Sequence, residues 1–149
     1  MSYLLDTTVV SEIRKQSRLC PDTPGIKGNV KDWLRSVSAS ELYLSVITVL
    51  ELERGFAVLE HRDRGQASIL PTSVRNEVLT SFDGPILSVD LAVGERCAML
   101  DVPDPIKDRD ALIVATAFVN GMTLVTRNVS HFQRAGVTIL NPWDCQPVC

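Results

Sequence analysis

Three acidic residues that are far apart in the chain each lie beside an apolar segment. Asp6 directly follows the strand-like residues 3–5 and precedes a helical pattern. Glu51 interrupts an otherwise apolar helical turn, and Asp110 opens the smooth apolar helix predicted over residues 111–117. An unpaired carboxylate is costly in such surroundings. If the three side chains meet, they repel one another unless a cation neutralises them, and oxygen-rich sites of this kind suit Mg²⁺ or Mn²⁺.

Each acid taken alone also has a purely structural interpretation. Asp6 can cap the helix that follows it. Thr48 and Glu51 have the spacing of a capping box. Asp108 and Asp110 can both favour the positive end of a helix, with Asp108 as the capping or solvent-exposed partner and Asp110 pointing inward. Only their convergence at one place would favour the metal site.

The surrounding pattern predicts how these acids are positioned. Short apolar runs predict strands at residues 3–5, 42–47, 86–89, 124–126 and 137–140. Helical periodicity predicts helices at residues 9–16, 31–36, 49–60, 73–81, 91–100 and 111–120, and residues 20–29 are expected to form a surface loop. Alternating strands and helices predict a parallel sheet, and strands that are almost wholly apolar predict that helices cover both of its faces. We therefore expect an α/β protein with three α/β/α layers, and the carboxyl edge of its sheet is where such folds bind ligands.

Length and composition predict one domain that spans residues 1–149, with 45% hydrophobic residues. No signal-peptide pattern and no membrane-spanning apolar run is found, so we expect a cytoplasmic protein. The four cysteines, which include Cys145 and Cys149, contain no CxxC pair, and we assign them no role. The net charge of −3 argues against nonspecific coating of nucleic acid, although carboxylates that hold metal ions also make a nuclease acidic.

Other α/β enzymes can be tested by their motifs. The chain has no GxxxxGK[ST] phosphate loop, no GxGxxG dinucleotide turn and no GxSxG nucleophile elbow. Residues 4–10 resemble the opening of haloacid-dehalogenase-like phosphatases, but Thr8 stands where that family has a second aspartate. That phosphatase is therefore a poor alternative.

The sequence resembles the PIN-domain family, in particular the VapC-type toxins, along nearly its whole length. Four motifs occur in the family's order, and the ending Leu140-Asn141-Pro142-Trp143 also recurs there. The motifs are Tyr3-Leu4-Leu5-Asp6-Thr7-Thr8-Val9-Val10-Ser11-Glu12, Ser45-Val46-Ile47-Thr48 with Glu51-Leu52 and Gly55, Asp110-Ala111-Leu112-Ile113-Val114-Ala115-Thr116-Ala117, and Leu124-Val125-Thr126-Arg127-Asn128 with Phe132.

This resemblance implies a Rossmann-like PIN fold with strand order 3-2-1-4-5, a homodimer, and Mg²⁺- or Mn²⁺-dependent endonucleolytic cleavage of RNA. It also implies a small VapB-like antitoxin as partner, and it names Asp6, Glu51 and Asp110 as metal ligands. The chain departs from the family at Thr8, where asparagine is common, and at Asn128, where some members have an acid. A second acid is frequent at the position of His131. This residue could compensate through an imidazole nitrogen, which would favour Mn²⁺ over Mg²⁺, but we expect it to be a surface residue.

Several further residues are candidates for binding substrate. The hydroxyls of Thr7 and Thr126 could orient a water or a phosphate, or they could serve as caps and strand-end hydrogen-bonding groups. Asn128 is the doubtful fourth metal position. The basic side chains that could grip RNA phosphates, or could simply be solvated, are Arg14, Lys15, Arg54 and Arg127. A PIN-like domain that binds RNA or an antitoxin without cutting stays open as the alternative function.

Overall fold

A five-stranded parallel sheet forms the centre of the protein. The structure, a computed structural model, describes residues 1–18, 28–62 and 86–144. Its strands are β1 (Tyr3–Leu5), β2 (Leu42–Ser45), β3 (Ile86–Leu87), β4 (Thr123–Val125) and β5 (Ile139–Leu140). They lie in the order β3-β2-β1-β4-β5, and every neighbouring pair is parallel. This confirms the expected order, and it puts the ends of β1 and β4 side by side.

The central strand separates two hydrophobic cores. Leu4 and Leu5 are both fully buried, although successive residues of a strand point to opposite faces. Leu5 packs into a cluster that contains Val9 and Trp33, whereas Leu4 packs into a second cluster. Both faces of the sheet are therefore covered, which explains why the strands are almost wholly apolar and confirms the three-layer α/β/α arrangement.

Helices connect the strands and cover both faces. Within the described ranges the helices are α1 (Thr7–Arg18), α2 (Gly28–Ser36), α3 (Val46–Arg62), α4 (Leu91–Leu100), α5 (Asp108–Val119) and α6 (Val129–Phe132). The expected helix over 91–100 has the predicted bounds, and the expected helix over 73–81 falls outside the described residues. In the parts of the chain that the structure describes, no helix is long and apolar enough to cross a membrane.

The junction of β2 and α3 differs from the sequence prediction. Val46 and Ile47 were expected to continue the strand, but α3 already begins at Val46. The Ser45 hydroxyl accepts a hydrogen bond from the Ile47 backbone N–H at 3.1 Å, which satisfies a donor of the first turn. The predicted capping box at Thr48 and Glu51 is therefore wrong, because both residues lie inside the helix.

The remaining differences lie at element ends. Residues 28 and 29 belong to α2 rather than to the predicted loop, of which residues 20–27 lie outside the described residues. Thr126 was expected to end β4 but follows it. Gly121, expected just past the helix over 111–120, lies there with a φ of +63°, a conformation that glycine adopts at little cost.

Candidate active site

The three predicted acids line one cavity at the carboxyl edge of the sheet. Asp6 reaches it from the end of β1, Glu51 from the second turn of α3, and Asp110 from the first turn of α5. The cavity measures about 440 Å³, and we call it the acidic cavity. Its lining residues are Asp6, Thr7, Thr8, Ser11, Glu12, Glu51, Asp110, Arg127, Asn128 and Trp143.

Asp6 is held in place by hydrogen bonds to both of its carboxylate oxygens. Oδ1 accepts the Thr7 backbone N–H at 2.8 Å. Oδ2 accepts the Thr126 hydroxyl at 2.8 Å and the Thr8 hydroxyl at 3.2 Å. Asp6 thus has the position of a helix cap and also belongs to the site, so the two interpretations of this residue do not exclude each other.

Burial sets the protonation behaviour of Asp6. Only 3% of the residue is exposed, and this desolvation raises the pKa of its carboxyl group above the ordinary value. The hydrogen bonds from Thr126, Thr7 and Thr8 lower the pKa, and the nearby Asp110 charge raises it, but burial is the largest effect. The site therefore holds this carboxylate at an electrostatic cost.

Glu51 presents a buried oxygen without a partner. Among the described residues, its Oε1 is shielded from solvent and accepts no hydrogen bond. Burial raises the pKa of Glu51, as do the charges of Asp110 and Asp6, whereas Arg109 lowers it. The Thr7 hydroxyl lies beside Glu51 and lowers its pKa slightly, although it misses hydrogen-bond geometry and is itself buried without a partner. An unsatisfied oxygen of this kind is a position where a bound cation would remove a penalty.

Asp110 is paired with a histidine that the sequence analysis placed at the surface. Nε2 of His131 lies 3.1 Å from Oδ2 of Asp110. The His131 side chain is 39% exposed, so the expected surface position is correct, but the contact with Asp110 was missed. The imidazole ring also packs edge-on against the buried Phe132, with ring centres 5.1 Å apart. His131 thus occupies one oxygen of a proposed metal ligand.

The residues that follow β4 complete the rim. The buried Thr126 hydroxyl accepts the Asn128 backbone N–H at 3.1 Å while it donates to Asp6. Asn128 itself is exposed and lines the cavity. The guanidinium carbon of Arg127 lies 5.3 Å from the ring centre of Trp143. Thr126 therefore organises the site, and Arg127 supplies it with a positive charge.

The other basic candidates do not all reach this cavity. Arg54 lines a neighbouring cavity together with the exposed Asp108, whose solvent-facing role is confirmed. The side chains of Arg14 and Lys15 lie outside what the structure describes, as do Cys145 and Cys149.

The oxygen atoms of these side chains suit a divalent cation, although they are not arranged around a single point. In the described parts of the chain, no group of three or more His, Cys, Asp or Glu side chains is arranged to hold a metal ion. Both oxygens of Asp6 and one of Asp110 already accept hydrogen bonds. The unpartnered Glu51 Oε1 and the all-oxygen donor set fit a hard cation of the kind that the resemblance implies.

Sequence reasoning singled out too few residues of α1. Thr8, Ser11 and Glu12 line the acidic cavity with Thr7. Residues three and four positions apart share one face of a helix, so Thr7, Thr8, Ser11 and Glu12 form a polar face that the i, i+4 spacing could have revealed. Trp143 was quoted only as a recurring ending and carried no such signal.

The chain is similar in sequence and in fold to known proteins. The chain is 34% identical over 146 residues to the VapC ribonuclease Y4jK of Sinorhizobium fredii, covering 95% of this chain and 97% of that protein. It is 33% identical over 145 residues to toxin FitB of Neisseria gonorrhoeae, covering 94% and 97%. The crystal structure of FitAcB from Neisseria gonorrhoeae superposes with a TM-score of 0.71 at 32% identity, covering 95% and 99%. The PIN domain model matches residues 3–137, and this chain belongs to the PIN domain family.

Proposed function

We propose that this protein is a VapC-type toxin, an endoribonuclease that hydrolyses RNA phosphodiester bonds with a divalent cation and is neutralised by a VapB-like antitoxin. The observation that carries the proposal is the acidic cavity, in which Asp6, Glu51 and Asp110 meet and Glu51 Oε1 is buried without a partner. The ribonuclease and toxin names of two relatives support it. A single domain over residues 1–149, a homodimer and a cytoplasmic location belong to the same proposal.

Asp6, Glu51 and Asp110 would hold the cation, with Asn128 as a neutral fourth donor and Mg²⁺ or Mn²⁺ as the ion. When bound, the cation lowers the pKa of a nearby water and offsets the negative charge on the phosphate. Thr8 and Thr126 fix the Asp6 carboxylate through their hydroxyls. Thr7 and Arg127 are assigned to the substrate.

The substrate side of the cavity has a hydroxyl and a guanidinium. The Thr7 hydroxyl is buried beside Glu51 and forms no hydrogen bond with the described residues, so it would orient a water or a phosphate oxygen that binds next to Glu51. Arg127 is exposed at the rim and can donate to a phosphate. No protein nucleophile is needed, because water attacks the phosphorus and the bridging oxygen leaves with the electron pair of the broken bond.

The direct test is RNA cleavage by the protein freed from its partner. Total RNA is incubated with Mg²⁺, with Mn²⁺ or with EDTA, and the cut ends are mapped. We expect discrete cleavage in metal and none in EDTA, and we expect Asp6→Asn, Glu51→Gln and Asp110→Asn each to abolish it. An exposed control, Asp32→Asn, should cut normally. Cleavage that persists in all three variants would refute the assigned site.

The antitoxin can be tested separately. An acidic cavity attracts a cation, so a lysine or arginine of the antitoxin is suited to the space that the metal would take. Co-expression with the small reading frame beside this gene should restore growth and give a complex. If no neighbouring gene does so, a freestanding nuclease is the better interpretation.

One observation favours the non-cleaving alternative. Among the residues that the structure describes, no group of three or more His, Cys, Asp or Glu side chains is arranged to hold a metal ion. A domain that binds RNA or an antitoxin without cutting would show RNA binding with no metal affinity. Calorimetric titration with Mn²⁺ separates the two functions. Nothing in the site favours the phosphatase alternative.

A further inference from the structure

A second cavity adjoins the acidic one, and Arg127 does not line it. It measures about 750 Å³ and shares Glu51 and Asp110 with the acidic cavity. We call it the basic groove, and its lining residues are Glu51, Arg54, Pro105, Ile106, Lys107, Asp108, Arg109 and Asp110. The two cavities therefore adjoin at two of the three proposed metal ligands.

Three cations face the basic groove, which the acids Glu51, Asp108 and Asp110 also line. Arg54 projects from α3 one turn after Glu51, and Lys107 and Arg109 flank the start of α5. Within the described ranges, none of the three forms an ion pair within 4 Å. Arg54 and Lys107 are exposed and Arg109 is half-buried, so all three can reach a ligand in the groove. The charge of Arg109 also acts on Glu51, whose pKa it lowers, so Arg54 and Lys107 are the cations most available to an anion.

The two cavities differ in charge. The acidic cavity is lined by four acids and one arginine, whereas the basic groove is lined by three cations and three acids. Two of those three acids, Glu51 and Asp110, are proposed metal ligands whose charge a bound cation would offset. A phosphodiester chain is repelled by three carboxylates, so the phosphates beside the reacting one need positive charge close by. Pro105 and the buried Ile106 add an apolar wall against which a base or a sugar can pack.

We propose that the basic groove binds the RNA strand on one side of the bond that is cut, with Arg54, Lys107 and Arg109 contacting its phosphates. The strand then passes Glu51 and Asp110 into the acidic cavity and leaves beside Arg127. This inference rests on the proposed function, which requires an RNA strand at the acidic cavity. It adds the path of that strand and the residues that hold it.

Binding is measured without cleavage in the Asp6→Asn background. The probe is a fluorescently labelled, mixed-sequence, single-stranded RNA oligonucleotide in MgCl₂ and increasing KCl. The test variant carries Arg54→Ala, Lys107→Ala and Arg109→Ala. The matched control carries Arg35→Ala, Arg62→Ala and Arg134→Ala, which remove the same charge from exposed residues that line neither cavity.

The test variant should raise the Kd at least about tenfold over the control, since three phosphate contacts are lost. The slope of log Kd against log salt should fall by about two, because each single-strand phosphate contact contributes about 0.7. Lys107→Glu alone, at an exposed position before α5, should weaken binding in the same direction and guards against misfolding of the triple variant. Equal Kd and equal slope in test and control variants would overturn the proposal.

Cleavage assays distinguish this inference from the proposed function. With Asp6 intact, the test variant should raise KM for RNA while changing kcat little. If the unmodified protein cuts RNA and the test variant has an unchanged KM, the basic groove is refuted and the nuclease stands. If RNA binds through the groove but the unmodified protein never cuts, the nuclease is refuted and the groove stands. Loss of antitoxin binding with unchanged RNA binding would instead make the groove a protein-docking surface and overturn the inference.

Discussion

Thr126 donates its hydroxyl to Oδ2 of Asp6 at 2.8 Å, although 120 residues separate the two in sequence. The contact is possible because β1 and β4 are neighbours in the sheet and end at the same edge. Thr126 is fully buried and also accepts the Asn128 backbone N–H. One side chain therefore couples Asp6, the first proposed metal ligand, to the loop that carries Arg127 and Asn128.

Thr126→Val tests this coupling. Valine has a similar shape but no hydroxyl, so Asp6 loses its shortest side-chain hydrogen bond and the Asn128 N–H loses an acceptor. We expect the free energy of unfolding to fall by about 1–3 kcal/mol, the usual cost of leaving a buried polar group unsatisfied. Cleavage should fall with it. Thr126→Ser keeps the hydroxyl and should retain most of the stability and most of the cleavage activity. If the serine and valine variants behave alike, the hydroxyl does not couple Asp6 to the loop.

Asp6→Asn should abolish cleavage and stabilise the metal-free protein at neutral pH. Burial raises the pKa of Asp6 in the folded state, so the folded protein holds this proton more tightly than the unfolded chain does. The folded protein therefore becomes more stable as the pH falls through the raised pKa of Asp6 toward its ordinary value of 3.8. The raised pKa of Glu51 changes the stability in the same direction as the pH falls toward its ordinary value of 4.5. Replacing Asp6 with asparagine removes the cost of keeping this buried carboxyl group charged at neutral pH.

Thermal unfolding across pH measures the effect. A relief of about 1 kcal/mol raises Tm by about 2–4 °C for a chain of this size, and the pH dependence should flatten in Asp6→Asn. Asp32→Asn, on the exposed face of α2, serves as the control. A lower Tm in Asp6→Asn at neutral pH with an unaltered pH profile would contradict the prediction.

His131→Ala tests the contact with Asp110. The imidazole lies against Oδ2 of Asp110 and fixes the orientation of that carboxylate. Removing a group that orients a metal ligand typically weakens metal affinity or activity by about 10–100-fold. Mn²⁺ affinity and cleavage rate are the readouts. His131→Gln can still donate a hydrogen bond and should rescue in part, whereas Ser130→Ala, at the exposed neighbouring position, should have no effect.

Much of this arrangement was predictable from local sequence. The apolar runs marked all five strands, and the positions of Asp6, Glu51 and Asp110 relative to them placed the acids at one edge of the sheet. The contact between His131 and Asp110 could not be predicted, because α6 is oriented by burial of Phe132 in the second core. Patterns of neighbouring residues do not report which way such a short helix faces.

The start of α3 was also predicted incorrectly from the local sequence pattern. Val46 and Ile47 are β-branched and continue an apolar run, so their propensity favours a strand. The Ser45 hydroxyl caps the helix three residues earlier than the Thr48 pattern suggested. The basic groove was also beyond local prediction, since Arg54 and Lys107 line it from separate elements that only tertiary packing brings together.

Asn128→Asp tests the fourth metal position. Asn128 lines the acidic cavity and offers only a neutral amide oxygen, whereas affinity for a hard cation depends strongly on the number of charged ligands. We expect the unmodified, RNA-free protein to bind one metal ion, with a second bound weakly until the substrate phosphate adds further oxygens.

Calorimetric titration with Mn²⁺ should show that Asn128→Asp tightens the second ion and leaves the first nearly unchanged. Gln133→Glu is the matched control, because it adds one carboxylate at an exposed position that does not line the cavity. Equal tightening in the control would mean that net charge, rather than a ligand at position 128, governs the second site. Two tightly bound ions in the unmodified protein would show that the fourth ligand lies elsewhere, with His131 the next residue to replace because it already lies 3.1 Å from Asp110.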